Sequence, residues 1–112
     1  MLTIYHNPRC SKSRQTLALI EENNQEVSIV EYLKIPLDKT TIDSLLSRLN
    51  VSPIEMMRTK ESEFKEQNLA NATDDQLIMA MVNTPKLIER PIVSSDTKAV
   101  IGRPPENVLT LF

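Results

Sequence analysis

A single cysteine among 112 residues cannot close an internal disulfide, so no covalent staple holds this chain. One histidine beside that cysteine also leaves too few of the usual ligands for zinc, and no metal is expected. Long hydrophobic runs are missing, and the start, MLTIYHNPRC, shows no basic leader followed by an apolar stretch. The expectation is a protein of a reducing compartment, most simply the cytoplasm, with no membrane contact. Asn50-Val-Ser52 and Asn71-Ala-Thr73 are then chance matches to the glycosylation tripeptide. An excess of one charge is lacking too: 13 basic against 15 acidic residues leave a formal charge of -2. No global field exists to hold nucleic acid, so an anion site has to be local. Repeats, linkers and low-complexity tracts are also absent.

What is present suits one domain, residues 1–112, because 40% hydrophobic content builds a core at this length without metal or disulfide. LTIY, residues 2–5, is a short apolar, β-branched run closed by Asn7-Pro8 and reads as a buried strand. Residues 11–23 read as a helix with Leu17 and Ile20 on one face, which places Cys10 at its first turn. VSIVEY, 27–32, reads as a second strand, and the crossover is long enough for a parallel βαβ unit.

Ile42, Leu45, Leu46 and Leu49 follow the amphipathic helix rule, with Pro36 and Pro53 punctuating either side. Residues 53–68 are less periodic and suit short helices or ordered loop. Thr73-Asp-Asp-Gln76 has the spacing of a capping box and opens a helix through Leu77, Ile78, Met81 and Val82, with Pro85 at its end. PIVSS and KAVI, turning about Asp96, make an antiparallel hairpin, and Gly102 with Pro104-Pro105 stops it. ENVLTLF is left for a terminal helix with Val108, Leu109 and Phe112 inward. The order is βαβ, a helical block, then ββα.

A strand that ends in a turn and delivers a cysteine to a helix N-terminus sets it among unpaired amides, which favour an anion. Thiols there have pKa values lowered from roughly 8.5 to between about 3.5 and 7.5. Arg9, Lys12, Arg14 and His6 would add positive potential, and the same amides suit a tetrahedral oxyanion. The plainer reading, a small buried apolar cysteine, sits poorly with Asn7, Arg9, Ser11, Lys12 and Ser13 as neighbours. Ser13 occupies the place of the second cysteine of a Cys-x-x-Cys dithiol, and Thr16 that of the arginine in a Cys-x5-Arg phosphatase loop. An oxidised Cys10 therefore needs a thiol from elsewhere. His6 is an orienting or tuning group, or equally a structural hydrogen-bonder. Arg58, Arg90 and Arg103 stand at element boundaries where a guanidinium fork could reach an anion, although singly each also reads as solvated or structural.

TIYHNPRCSKSR, ERPIV (89–93) and IGRPPENVL (101–109) together resemble the ArsC family of glutaredoxin-linked arsenate reductases, in the same order along the whole chain. The resemblance implies an α/β, thioredoxin-like fold: a four-stranded mixed sheet with a helical insertion, about 36–88, between strand 2 and the C-terminal hairpin. It also implies arsenate reduction in arsenic detoxification, with no bound cofactor. Cys10 attacks arsenate to form a thiol–arsenate adduct, glutathione adds as co-substrate, and glutaredoxin reduces the mixed species to release arsenite. By motif, Arg58, Arg90 and Arg103 bind the oxyanion with the 11–14 segment (Ser11, Lys12, Arg14), while His6 and Ser13 help to lower the thiol's pKa. Ser11-Lys12 replaces the Gly-Thr of the resistance enzymes, which places the chain nearer a housekeeping branch. Two alternatives stay open. One is a thiol-dependent oxidoreductase of another substrate; the other is a non-enzymatic regulator like the Spx proteins, whose usual Cys-x-x-Cys switch Ser13 removes.

Overall fold

Leu2–Tyr5 form strand β1, whose alternation puts Leu2 and Ile4 in the interior, as a strand's period of two requires. The structure, a computed structural model, describes residues 1–112. The chain divides into two compact units, Met1–Ile35 with Arg90–Phe112, and Pro36–Glu89.

In the first unit, α1 (Ser11–Glu22) carries the chain from β1 to β2 (Val27–Val30), which pairs with β1 in parallel, Leu2 opposite Val27 and Tyr5 opposite Val30. Asn24 takes φ 57 just past the helix, a left-handed turn that asparagine tolerates. β3 (Ile92–Ser94) runs antiparallel to β1, and β4 (Ala99–Ile101) antiparallel to β3, giving the order β2-β1-β3-β4. The α/β, thioredoxin-like expectation is therefore met by a four-stranded mixed sheet. The β3–β4 turn closes where the Ser95 amide donates to the Lys98 carbonyl at 2.7 Å. Leu2, Ile4, Ile20, Val93 and Val108 form the core of this unit, flanked by Leu17, Leu19, Val27, Val100 and Leu111. Each such buried aliphatic side chain contributes roughly 1.5–3 kcal/mol over its exposed state.

Two expectations need correction. The second strand stops at Val30, because Glu31 turns the chain and its carbonyl accepts from the Lys34 and Ile35 amides, both at 3.0 Å. The last segment is a 3-10 helix, Pro105–Leu111. Its three residues per turn put Pro105, Val108 and Leu111 on the inner side, while Leu109 and Phe112 stay 44% and 41% exposed.

In the second unit, α2 (Lys39–Leu49) starts at Asp38, whose side chain accepts the Thr41 amide at 2.8 Å, and stops at Asn50 with φ 57. It buries Ile42, Leu45 and Leu46. The weakly patterned stretch folds as a 3-10 turn, Pro53–Met56, then α3 (Ser62–Glu66) over buried Phe64, then a 3-10 turn, Leu69–Asn71. α4 (Asp74–Asn83) opens with the capping box of Thr73 and Gln76 and buries Leu77, Ile78, Ala80 and Met81. An antiparallel bridge of Met57 with Ile88 closes the unit, bounded by hydrogen bonds from the Arg58 amide to Leu87 and the Glu89 amide to Met56. No helix is long and apolar enough to cross a membrane.

Candidate active site

At the end of β1 the His6 amide still donates to Val30, and the chain then turns through Asn7 and Pro8. Asn7 makes that turn: its side-chain oxygen accepts the Arg9 amide and its carbonyl the Cys10 amide, both at 3.0 Å. Arg14 Nη1 donates to the Pro8 carbonyl at 2.9 Å and ties the loop to the helix. Cys10 becomes the N-cap of α1 (φ -92, ψ 124), with no side chain capping the first turn. The Lys12 and Ser13 amides are thus left for the thiol, which is free and buried at 8% exposure.

Burial pushes the Cys10 thiol up. The Ser13 amide, the Arg90 guanidinium and the Lys12 amide outweigh it, and the net pKa lies below the ordinary thiol value. Arg103 Nη1 reaches Sγ at 3.9 Å and also donates to the Arg90 carbonyl at 3.1 Å. Arg90 Nε and Nη1 are buried with no acceptor in the protein. Leaving charged donors so placed costs more than the roughly 1–3 kcal/mol of a neutral group, which suits a place where an anion binds. Both arginines precede cis prolines, Pro91 and Pro104.

Behind the thiol, His6 Nδ1 and Ser13 Oγ lie 2.7 Å apart, both buried, and Ser13 Oγ accepts the Asn7 amide at 3.0 Å. Burial lowers the His6 pKa, Glu31 opposing and Arg14 reinforcing. A neutral His6 can take the Ser13 hydroxyl proton at Nδ1. Burial thus favours the neutral form of His6, so its share of the positive potential around the thiol is smaller than its ordinary pKa would give. The positive charge that lowers the thiol is that of Arg90, and Lys12 acts through its amide.

Cys10, His6, Ser13, Arg90 and Arg103 are all gathered in the first unit, while the Ser11 and Lys12 side chains are exposed. Arg58 belongs to the second unit, where it forms an ion pair with Glu61, which Lys86 also reaches at 3.5 Å. No group of three or more His, Cys, Asp or Glu is gathered to hold a metal. Sequence reasoning gives Thr16 and Gly102 no part in the site. Thr16 is fully buried; its hydroxyl donates to the Lys12 carbonyl at 2.8 Å and lies 3.4 Å from the Gly102 carbonyl. The available signal was spacing, since Ser13, Thr16 and Ile20 share a helical face on which only the apolar member had been counted.

A sequence profile of the ArsC family matches residues 5–111. The uncharacterized protein YfgD of Escherichia coli strain K12 is 54% identical over 111 residues, 96% of this chain and 93% of its own. An arsenate reductase of Neisseria meningitidis is 41% identical over 110 residues, 96% of this chain and 94% of its own. Among solved structures, arsenate reductase from Vibrio cholerae has a TM-score of 0.95 at 44% identity, covering 99% of this chain and 97% of that one.

Proposed function

This chain belongs to the ArsC family, and from that premise we propose that it is an arsenate reductase that uses Cys10 as nucleophile and takes its electrons from glutathione and glutaredoxin. One observation carries the reading: a free thiol with lowered pKa sits at the N-cap of α1 while Arg103 and the charge of Arg90 converge on it. Relatives named arsenate reductase across nearly the whole length supply the substrate. The cell compartment that fits a thiol-fed reaction is a reducing one, the cytoplasm.

The chemistry then runs in balanced steps. The Cys10 thiolate attacks arsenic(V), and one arsenate oxygen leaves as water after protonation, giving a thiol–arsenate ester. The Lys12 and Ser13 amides, Arg90 and Arg103 hold the remaining negative oxygens. Glutathione adds to arsenic through sulfur, expelling a second oxygen as water. A glutaredoxin thiolate attacks that sulfur and takes it as a mixed disulfide. The bonding electron pair stays on arsenic, now arsenic(III), and hydrolysis releases arsenite and regenerates Cys10. His6 and Ser13 hold the loop and the first turn that present the thiol. Arg58, which the family motif assigns to the oxyanion, is ion-paired with Glu61 and has no part in the steps above.

The test couples glutathione reductase, glutathione and glutaredoxin to NADPH consumption, with and without arsenate, for the wild type and Cys10→Ser. Arsenate-dependent turnover in the wild type that falls to background in the variant is expected. Turnover that survives in Cys10→Ser rules the mechanism out. No turnover in a protein whose Cys10 still alkylates rapidly at neutral pH moves the reaction to another oxidised substrate, for which a glutathionylated peptide is the probe.

A further inference from the structure

Gly102 is the only glycine of the chain, it is buried, and its φ is not positive. Its lack of a side chain therefore answers a need for space and not for backbone freedom. A Cβ there would stand 2.5 Å from Thr16 Oγ1 and 2.9 Å from Pro91 Cγ, both closer than such atoms pack, and a tight 3.1 Å from Thr16 Cγ2. Three parts of the site meet at this point. Thr16 lies one and a half turns along the helix that begins at Cys10. Pro91 follows Arg90, and its carbonyl accepts the Gly102 amide at 2.9 Å. Arg103 follows Gly102 and spans from the Arg90 carbonyl, at 3.1 Å, to the Cys10 sulfur, at 3.9 Å.

We propose that the Thr16–Gly102 contact is a positioning device: it sets how closely the strand ends bearing Arg90 and Arg103 approach the N-terminus of α1, and so fixes both guanidinium groups against the Cys10 thiol. The two residues act only through those arginines and touch no reacting atom. Thr16 is suited to the task because it is fully buried and its hydroxyl is already held by the Lys12 carbonyl at 2.8 Å, so it cannot swing aside without losing that bond. The backbone itself accepts alanine at position 102, since no left-handed φ has to be given up. Any effect of a methyl there comes from displacement of its neighbours.

The inference rests on the reductase reading only for its arsenate readout; the thiol readout stands without it. The full-length protein is alkylated with iodoacetamide across pH 4 to 10, and KM and kcat for arsenate are measured in the coupled assay. In Gly102→Ala the alkylation midpoint is expected to rise by about half to one pH unit, a fraction of the roughly 1–3 units that a close opposite charge supplies. KM should rise about tenfold with a smaller change in kcat, as uniform anion binding is lost. Thr16→Ala combined with Gly102→Ala removes both close Thr16 contacts and leaves the one with Pro91, so it should bring the midpoint part of the way back. Thr16→Val keeps the glycine and places a methyl against the Gly102 carbonyl, so it shifts the midpoint in the same sense by less, and it decides the matter if Gly102→Ala does not fold. A wild-type midpoint in folded Gly102→Ala, or in Thr16→Val when that is the only folded variant, overturns the proposal, and so does a double variant as impaired as the single one. A shifted midpoint in a protein that never turns over arsenate overturns the reductase reading and leaves the positioning device standing.

Discussion

Two titratable side chains four positions apart, His6 and Cys10, are both held below their ordinary pKa, and for different reasons. For Cys10 burial acts against the thiolate and the helix amides with Arg90 overcome it; for His6 burial itself is the leading cause. The sign follows for stability. The fold holds His6 neutral more readily than the unfolded chain does, so its contribution is fully present above the unfolded pKa of about 6.5 and is lost as pH falls through the lower folded value. Thermal unfolding of the wild type should therefore lose midpoint temperature below about pH 6.5, before most carboxylates titrate. His6→Gln, which cannot take up that proton, should start from a lower midpoint and show a shallower decline over this window. Parallel declines in the two proteins would mean that the proton is taken up elsewhere. This residue scale was the least legible in sequence. That Cys10 caps a helix could be read, because the strand signal of LTIY and the turn at Asn7-Pro8 are local. Which arginine charges the thiol could not, because Arg90 reaches it across a gap of eighty positions that only the sheet register closes.

Elements with a clear period or cap were read well. α2 buries three of its four predicted apolar positions, and α4 opens on the expected capping box because side chain and backbone satisfy each other within four residues. The terminal segment went wrong for a reason of geometry: a 3-10 turn moves the inward set from 108, 109 and 112 to 105, 108 and 111. That difference is measurable. Val108 is fully buried in the core of Leu2, Ile4, Ile20 and Val93, so Val108→Ala should cost about 1–3 kcal/mol through lost burial and a residual cavity. Leu109→Ala, at an exposed position, should stay within about 0.5 kcal/mol. Urea denaturation of both variants decides between the two periods, and a larger cost at 109 than at 108 would restore the α-helical reading. The same lesson holds on α1, where two of the three buried side chains are Ser13 and Thr16. A hydrophobic pattern counts them as surface; their hydroxyls are satisfied by His6, Asn7 and Lys12, which makes burial affordable.

Across the whole molecule, the count of thiols and the balance of charge decide what the chain must borrow. A formal charge of -2 gives no long-range attraction for an anion, so the proposed reaction leaves capture to the helix terminus and the arginines beside it. Carrying arsenic from the fifth to the third oxidation state takes two electrons, and thiols deliver two electrons only as a pair that ends in a disulfide. This chain holds one cysteine, and the position three residues on, where a partner would stand, is a serine buried against His6. On the mechanism proposed above, Cys10 binds arsenic but cannot reduce it alone. Enzyme mixed with arsenate in stoichiometric amount and no other thiol should release no arsenite, while adding glutathione and glutaredoxin should yield arsenite and glutathionyl-glutaredoxin disulfide one for one. Arsenite from the first mixture, accompanied by a covalent dimer on a non-reducing gel, would show two Cys10 thiols from separate copies supplying the pair. The electron pair for that turnover would then come from a second copy of the chain, and the external thiol would serve only to reduce the Cys10–Cys10 disulfide afterwards.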